Sequence, residues 1–326
     1  MLRPYEEKRR PGADQGAPFV SVATDLHEFG ATCRYRGLSM DSQATSPANL
    51  SFARKRPAAT YFLLAFAISW SAAFLIAAPK LFRPGPLPKL TGILMFPAML
   101  LGPSFAGIFL TWKLGGREGL RNLFARMRRV GFPPRWYSAL LIPPLMVLSV
   151  LFLLKTFVSP VYTPNRFWIG VSFGLLAGFL EEIGWTGFVY PTLRRRFAVL
   201  PAAAILGLFW GLWHAPVIDF RGSASPHGKA LPAFFAAFVA AMAAMRVLIA
   251  WFYERTQSVA LAQLIHISST GSLVVFSPPA VSPIQEATWY GLYAIIMWTL
   301  VTLLAWAIRV PNAAQVQQLD RGVGKP

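Results

Sequence analysis

The sequence has 326 residues, of which 55% are hydrophobic and only 13% are charged. A soluble domain carries about a quarter charged residues, so an ordinary soluble enzyme is excluded. Lys and Arg total 31 against 13 Asp and Glu, which gives a formal net charge of +18.

The first segment of the chain is polar. Residues 1–57 mix charged residues with glycine, proline and serine, and they contain no sustained apolar run. This composition predicts a disordered cytoplasmic leader without the apolar core of a signal peptide. Met40 is an alternative start that would keep every apolar segment. Cys33 is the single cysteine, so no intrachain disulfide is expected.

Eight apolar segments follow the leader. Each is close to the ~20 residues that a helix needs to cross a hydrocarbon core, and none alternates in polarity as barrel strands do. The segments are residues 58–78, 90–112, 136–158, 168–190, 198–220, 230–253, 259–276 and 287–308. They predict an all-α polytopic membrane protein, a bundle of about eight transmembrane helices over residues 58–308. A cytoplasmic tail at residues 309–326 follows.

The basic residues lie between the apolar segments. The leader and the loops after the second and fourth segments are rich in Lys and Arg, whereas the alternate loops hold few. By the positive-inside rule, this pattern predicts a multi-pass protein of the plasma membrane with both termini in the cytoplasm. The charge of +18 is then a topology signal, so the lipid bilayer is the expected partner and nucleic acid is not.

Few ionisable side chains lie inside the apolar segments. Glu181 and Glu182 are adjacent in the fourth segment, His214 lies in the fifth and His266 in the seventh. At 1.5 Å per residue, Glu181, His214 and His266 all fall ~16 to 24 Å from the same face of a ~30 Å core. Charged groups in a bilayer are costly and mark function by default, so these four residues predict a site at one depth.

Small residues indicate which faces of two segments meet other helices. A four-residue repeat lines one stripe of the fourth segment with Gly170, Gly174, Gly178, Glu182 and Thr186. In the fifth segment, Gly207 and Gly211 are two further small residues at the same four-residue spacing. Small residues at this spacing predict close helix packing. Trp185, Trp210 and Trp213 are interpreted as packing residues, because aromatic side chains are abundant throughout the chain.

The four ionisable groups suit the hydrolysis of an amide. Two adjacent carboxyl groups in a low dielectric titrate as a unit, so one can hold a proton while the other acts as a base. One imidazole can share the proton of a water, and the second can donate to an oxyanion. The set also fits a zinc site of two histidines and one glutamate, with His214, His266 and Glu181 as ligands.

Two other interpretations compete with catalysis. A histidine inside a membrane helix is often a hydrogen-bonding residue between helices. A buried glutamate is also typical of a proton-coupled transporter, but such transporters show an inverted repeat with paired broken helices, and no such symmetry is evident.

Three ordered motifs resemble a known family. They are Glu181-Glu182 with Gly184-Trp185 and Gly187, then Trp210-x-x-x-His214, then His266 with Thr270 four positions later. They resemble the CAAX protease and bacteriocin-processing family of intramembrane proteases, which includes type II CAAX prenyl endopeptidases and many bacterial self-immunity proteins. The run GPSFAGIFLT in the second segment, the basic loop after Gly115-Gly116-Arg117 and Tyr253-Glu254-Arg255-Thr256 also look like this family.

The resemblance implies an intramembrane endopeptidase with a conical cavity open toward the cytoplasm and the membrane. Glu181 would be the general base that acts with His214 on the attacking water, and Glu182 would hold the site in place. His266 and Thr270 would form the oxyanion site. The family is classed among metalloproteases, and a metal-free glutamate mechanism is also argued for it. The separate roles of the two imidazoles favour the metal-free mechanism.

The sequence departs from the family pattern at two positions. The pattern EExxxR has Thr186 in place of its arginine, and the third motif ends in Thr270 where asparagine is usual. A threonine hydroxyl can still donate to an oxyanion. The missing arginine favours an alternative function, a non-proteolytic immunity or scaffold protein that binds a partner peptide or helix.

Arg246 in the sixth segment has two interpretations. It lies near the predicted cytoplasmic end, so its side chain is expected to snorkel to the membrane surface. Alternatively, Arg246 reaches inward and supplies the charge that Thr186 lacks.

Overall fold

A computed structural model describes residues 51–82, 87–219 and 226–309. The chain divides into two units, and the helices described below form the unit of residues 46–308. The other unit comprises residues 1–45 and 309–326. The predictions for the leader before Ser51, including Met40 and Cys33, and for the tail after Arg309 lie outside the described residues.

The regular structure in the described ranges is helical. The helices are α1 Phe52–Lys55, α2 Pro57–Leu81, α3 Lys89–Met99, α4 Leu101–Met127, α5 Ile142–Phe157, α6 Gly170–Gly184, α7 Tyr190–Arg194, α8 Val199–Trp213, α9 Ala215–Asp219, α10 Leu231–Thr256, α11 Val259–Val275 and α12 Pro283–Arg309. A π-helical turn, Trp185–Val189, joins α6 to α7. Helices of the 3₁₀ type cover Pro134–Leu141, Pro160–Tyr162 and Gly228–Ala230.

The predicted polytopic helical bundle is confirmed. In the part of the chain that the structure describes, six helical stretches are long and apolar enough to cross a membrane, and they coincide with six of the eight predicted segments. They are Pro57–Lys80, Lys89–Met127, Pro134–Phe157, Val199–Asp219, Gly228–Thr256 and Pro283–Trp306. Large apolar side chains on the outside of α2, α5 and α12 are exposed, as lipid-facing helices require.

The fourth and seventh predicted segments differ from the other six. The fourth is divided by the π turn into α6 and α7, and the seventh is α11, which has 17 residues. Most of α11 is buried against neighbouring helices. Helix α11, which carries His266, is therefore an inner element of the bundle, whereas α6 buries the face with Glu181 and Glu182 and exposes an apolar face.

A stripe of glycines brings α6 against α11. An ideal Cβ atom on Gly174 would lie 2.6 Å from the carbonyl oxygen of Ile267, and one on Gly178 would lie 2.6 Å from the Ile267 nitrogen. At the other end of α6, Gly170 meets Val275. The two helices run antiparallel with their backbones in close approach, as the four-residue repeat predicts.

The pair α8 and α10 packs in the same way. A Cβ atom on Gly207 would lie 2.5 Å from the Cα atom of Ala243, and one on Gly211 would lie 3.0 Å from that of Val239. The predicted contact of the second glycine pair is confirmed.

Helix α4 bends sharply at Gly116, whose φ of 60° and ψ of −152° are not helical. An ideal Cβ atom on Gly119 would lie 2.9 Å from the carbonyl oxygen of Thr111. In a straight helix, residues eight apart are separated by ~12 Å along the axis. The bend separates the apolar first part of α4 from a polar second part, and we call residues 117–129 the basic segment.

Candidate active site

Helix α6 ends at the glutamate pair and passes directly into the π turn. The side chains of Glu181 and Glu182 are fully buried. Gly184 permits this placement, because a Cβ atom there would lie 2.1 Å from the carbonyl oxygen of Pro103 and 2.2 Å from the hydroxyl of Tyr61. Ser104 donates a 2.7 Å hydrogen bond to the carbonyl of Leu180. The run GPSFAGIFLT in α4 thus supports the end of α6.

Glu182 is surrounded by donors. His266 Nδ1 lies 2.7 Å from its Oε1 atom, and Arg246 Nη1 lies 2.8 Å from Oε2. The hydroxyl of Thr186, one turn further along, also donates to Oε2. Both oxygens of this carboxylate are therefore engaged, and three helical elements meet at Glu182.

Arg246 points into the bundle. Its side chain is 1% exposed, and its guanidinium carbon lies 4.3 Å from the centre of the Trp210 ring. The prediction that it snorkels to the membrane surface is wrong, and the alternative that it reaches inward is confirmed. The reason lies in α8, where Gly207 faces the Cβ atom of Arg246 and leaves room for the arginine stem.

Glu181 has hydrogen-bond partners that differ from those of Glu182. Its Oε2 atom accepts hydrogen bonds from the indole nitrogens of Trp185 at 3.0 Å and Trp210 at 2.7 Å. Its Oε1 atom has no hydrogen-bond partner among the described residues. Trp185, Trp210 and Trp213 are all buried in the core, which agrees with their interpretation as packing residues. Trp185 and Trp210 additionally donate hydrogen bonds to Glu181, whereas the Trp213 ring lies 4.8 Å from that of His214.

The hydrogen bonds of the two histidines indicate where their protons lie. His214, at the end of α8, places Nδ1 2.8 Å from the carbonyl oxygen of Trp210. A carbonyl only accepts, so Nδ1 carries the proton and Nε2 of the neutral ring is an acceptor. His266 Nδ1 faces the carboxylate of Glu182 and donates to it by the same reasoning.

Trp210 connects the members of the site. It donates to Glu181, its ring lies 5.0 Å from that of His266 and 5.7 Å from that of His214, and Arg246 covers one face. The sequence predicts Trp210, with Thr186, Thr270 and Arg246, as a residue that supports the catalytic groups; which group its indole N–H reaches depends on packing.

The two threonines occupy different places. Thr186 belongs to the environment of Glu182. Thr270 follows His266 by one turn of α11 and is half-buried. Its predicted role at an oxyanion stays a prediction.

Aromatic side chains close the site. Trp185 and Trp210 are buried, and the Tyr61 ring lies 5.3 Å from that of Trp185. Glu181, Glu182 and His266 are at most 1% exposed. The open cavity that the resemblance implies is not seen around these residues. Two hollows lie elsewhere in the described residues, one between α10 and α12 and one along α4.

The predicted zinc ligands do not assemble as a preformed metal site. Across residues 51–82, 87–219 and 226–309, no group of three His, Cys, Asp or Glu side chains is placed to hold a metal ion. Glu181 is oriented by two indoles and His214 by a backbone carbonyl. These contacts leave Nε2 of each histidine and Oε1 of Glu181 without a partner that they would have to give up, so zinc binding by His214, His266 and Glu181 stays a prediction.

Sequence reasoning missed one connection between the site and α4. Arg126 donates to the carbonyl oxygen of Gly187, inside the π turn, at 2.7 Å and to the hydroxyl of Tyr253 at 2.6 Å. Leu123 packs where a Cβ atom on Gly187 would stand. The family-like runs around Gly116 and Tyr253 carried a signal for this contact.

Comparison with known proteins confirms the resemblance over the central helices. A family model described as type II CAAX prenyl endopeptidase Rce1-like matches residues 163–271, about one third of the chain. CAAX prenyl protease 2 from Methanococcus maripaludis is 41% identical over 49 residues, which cover 15% of this chain and 18% of that protein. The chain thus aligns with less than a fifth of this relative's length. The immunity branch of the resemblance stays a prediction.

Proposed function

We propose that this protein is an intramembrane endopeptidase that hydrolyses a peptide bond of a membrane-associated protein or peptide. The observation that carries the proposal is the difference between the two buried carboxylates. Glu182 is engaged through both oxygens, whereas Glu181 is oriented through one oxygen and keeps the other unpartnered among the described residues. The similarity to prenyl endopeptidases over residues 163–271 supports the same activity.

In the proposed first step, Glu181 activates water. Oε1 of Glu181 accepts a proton from the water, with Nε2 of His214 as the second acceptor at the nucleophile. The hydroxide oxygen bonds to the carbonyl carbon of the substrate, and the π electrons of the carbonyl move to its oxygen. His266 and Thr270 then donate to this oxyanion. Because Nδ1 of His266 already donates to Glu182, its Nε2 donates only as the imidazolium.

In the second step, the tetrahedral intermediate collapses. The carbonyl re-forms, the carbon–nitrogen bond breaks, and the proton held by Glu181 moves to the leaving amine. The products are a carboxylic acid and an amine, which the transfer of the remaining water proton converts into a carboxylate and an ammonium, and Glu181 returns to its starting state. Glu182 and Arg246 are positioning residues in this scheme, because they hold His266.

Arg246 weakens the case for a non-proteolytic protein. That alternative depended on the loss of the motif arginine at Thr186. The guanidinium of Arg246 lies 2.8 Å from Glu182 and 3.4 Å from the Thr186 hydroxyl, so a positive charge is present from α10 instead of α6.

The relatives suggest the first substrates to test. The names of the matched family and of the archaeal relative both refer to CAAX prenyl proteins, so we propose that the substrate is a protein whose C-terminal segment lies at the membrane. The two substrates to compare are a prenylated peptide and the same peptide without the prenyl group. Equal cleavage of both would show that the lipid is not recognised.

The test uses the full chain in proteoliposomes with ¹⁸O-labelled water. We expect the wild type to yield a product with one ¹⁸O atom in the new carboxylate. Loss of the general base in Glu181→Gln lowers the rate by about 10²- to 10⁴-fold. His214→Ala and His266→Ala are expected to lose activity while the protein accumulates normally. Retained turnover in Glu181→Gln would remove the mechanism.

A chelator arm tests metal dependence in the same assay. The proposed steps need no metal, so we expect unchanged activity with chelator. Loss of activity that zinc restores would replace this mechanism with a metal-dependent one.

The role of Trp210 can be separated from bulk packing. Trp210→Phe removes the indole N–H that orients Glu181, so kcat should fall by about tenfold or more while KM changes little. Trp289→Phe is the matched control, because Trp289 is equally buried and its indole nitrogen has no partner among the described residues. Equal effects of the two variants would contradict an orienting role.

A further inference from the structure

The basic segment, residues 117–129, combines cations with exposed apolar groups. Arg117, Arg121, Arg128 and Arg129 are exposed, and so is Phe124, at 38%. Glu118 is the single acid of the segment, and it is paired with Arg121 at 2.6 Å. Arginines interleaved with an exposed phenylalanine are typical of helices that lie in a membrane interface.

The neighbours of the segment place it at the membrane surface. Trp112 precedes the bend at Gly116 and is 52% exposed. Trp136 follows the segment, with the Arg135 guanidinium carbon 5.5 Å from its ring centre. Tryptophan is enriched at the level of lipid headgroups, so the helix turns where the hydrocarbon core ends.

The inner face of the segment is fixed to the bundle. Leu123 is buried against Gly187, and Arg126 donates to Asn122, to Tyr253 and to the Gly187 carbonyl. The outer face therefore has a set orientation. A hollow of about 250 Å³ lies along the segment, lined by Glu118, Arg121, Asn122, Ala125, Arg126 and Arg129.

The chemistry of this hollow fits a phosphate. Arg126 is committed to buried protein partners, whereas Arg121, whose pair with Glu118 is at the surface, and Arg129 are exposed at the rim. Guanidinium groups bind phosphate oxygens in pairs of parallel hydrogen bonds. We propose that the basic segment is a docking surface for the headgroups of anionic phospholipids in the adjacent leaflet. This surface is independent of the proposed peptidase activity.

The test compares lipid binding to the full chain in detergent by native mass spectrometry. The probes are phosphatidylglycerol and phosphatidylcholine with matched acyl chains. We expect tighter binding of phosphatidylglycerol, weakened about 10- to 30-fold in Arg121→Gln/Arg129→Gln. The control Arg195→Gln/Arg196→Gln removes the same charge from exposed residues just after α7 and should change binding by less than about threefold.

Three outcomes would overturn the proposal. The first is equal binding of the two lipids, and the second is equal weakening by the two double variants, which would indicate diffuse charge attraction. The third is displacement of phosphatidylglycerol by inorganic phosphate or an acidic peptide at equal concentration, which would assign the hollow to a soluble ligand or a protein. Hydrogen exchange of residues 117–129 that slows in mixed phosphatidylcholine–phosphatidylglycerol vesicles, compared with phosphatidylcholine alone, would support it.

Discussion

Helix α10 makes two arginine–glutamate pairs to the α6–α7 stretch, and they differ mainly in burial. Inside the bundle, Arg246 of α10 lies 2.8 Å from Glu182, and both side chains are at most 1% exposed. Near the end of α10, Glu254 lies 2.6 Å from Arg194, and these side chains are 25% and 28% exposed. Each carboxylate also accepts from a hydroxyl, that of Thr186 or that of Tyr190.

The nitrogen–oxygen distance does not determine which of the two ion pairs contributes more to stability. Water can replace a lost partner at Arg194 and Glu254, because both are partly exposed. Glu182 and Arg246 are at most 1% exposed, so bulk solvent does not replace a lost partner of Glu182 and an unpaired charge would remain in the interior. The shorter pair is therefore expected to be the weaker contributor, and the buried pair should dominate both stability and site geometry.

The largest expected effect is that of Arg246→Met. This change leaves Glu182 buried without its counter-charge, which costs about 3–5 kcal/mol. Arg194→Gln, the peripheral control, should cost about 0.2–1 kcal/mol. Unfolding free energies measured by denaturant titration in mixed micelles would compare the two.

A double variant sharpens this result. Glu182→Gln/Arg246→Met removes both charges and should recover much of the stability without recovering activity, because His266 loses its carboxylate partner. Equal destabilisation by Arg246→Met and Arg194→Gln would contradict the expectation that the buried pair contributes more to stability.

The next largest effect concerns the helix contact that places Glu182 in the interior. In Gly178→Ala, the new Cβ atom would stand 2.6 Å from the Ile267 nitrogen, so α6 and α11 must separate at a cost of about 1–3 kcal/mol. Gly291→Ala in α12 is the control, because nothing lies within 4 Å of its added Cβ atom. Thermal midpoints of the purified variants measure both, and equal shifts would contradict close packing at Gly178.

A third comparison, with an effect of similar size, separates the hydroxyl groups of Thr186 and Tyr190. Thr186→Val removes a buried donor to Glu182 and should cost about 1.5–3 kcal/mol, the range for a hydrogen bond to a charged group. Tyr190→Phe removes a donor to Glu254, which keeps Arg194 and access to solvent, so about 1 kcal/mol or less is expected. A larger loss of stability in Tyr190→Phe than in Thr186→Val would contradict the expectation that the buried Glu182 pair contributes more than the partly exposed Glu254 pair.

Features that depend on periodicity could be predicted from the sequence. The glycine repeat of the fourth segment predicted a close helix contact, and Gly174 and Gly178 make it. Counting residues from the segment ends placed Glu182 and His266 at one depth, and they are hydrogen-bonded. The helical rise per residue determines the depth of a side chain, and side-chain size determines how closely two helices approach. Residue counts and residue types can both be taken directly from the sequence.

Features that depend on the rotation of a helix could not be predicted in this way. The distance of Arg246 from the end of α10 is the same whether its side chain points inward or outward. Its direction depends on Gly207 in another helix. The π turn after Glu182 is also a product of packing, because Arg126 and Leu123 meet Gly187 from α4.

The burial of Glu181 has a consequence for the affinity of the proposed substrate. A membrane protein collides continually with neighbouring helices in the plane of the bilayer, and each neighbour carries peptide bonds. In the proposed mechanism, a substrate reaches Glu181, which is 0% exposed, only when the surrounding aromatic side chains separate. Its apparent dissociation constant is then the intrinsic one divided by the fraction of open molecules. If about 1% of the molecules are open, apparent affinity falls about a hundredfold for every peptide, so only a segment with high intrinsic affinity occupies the site.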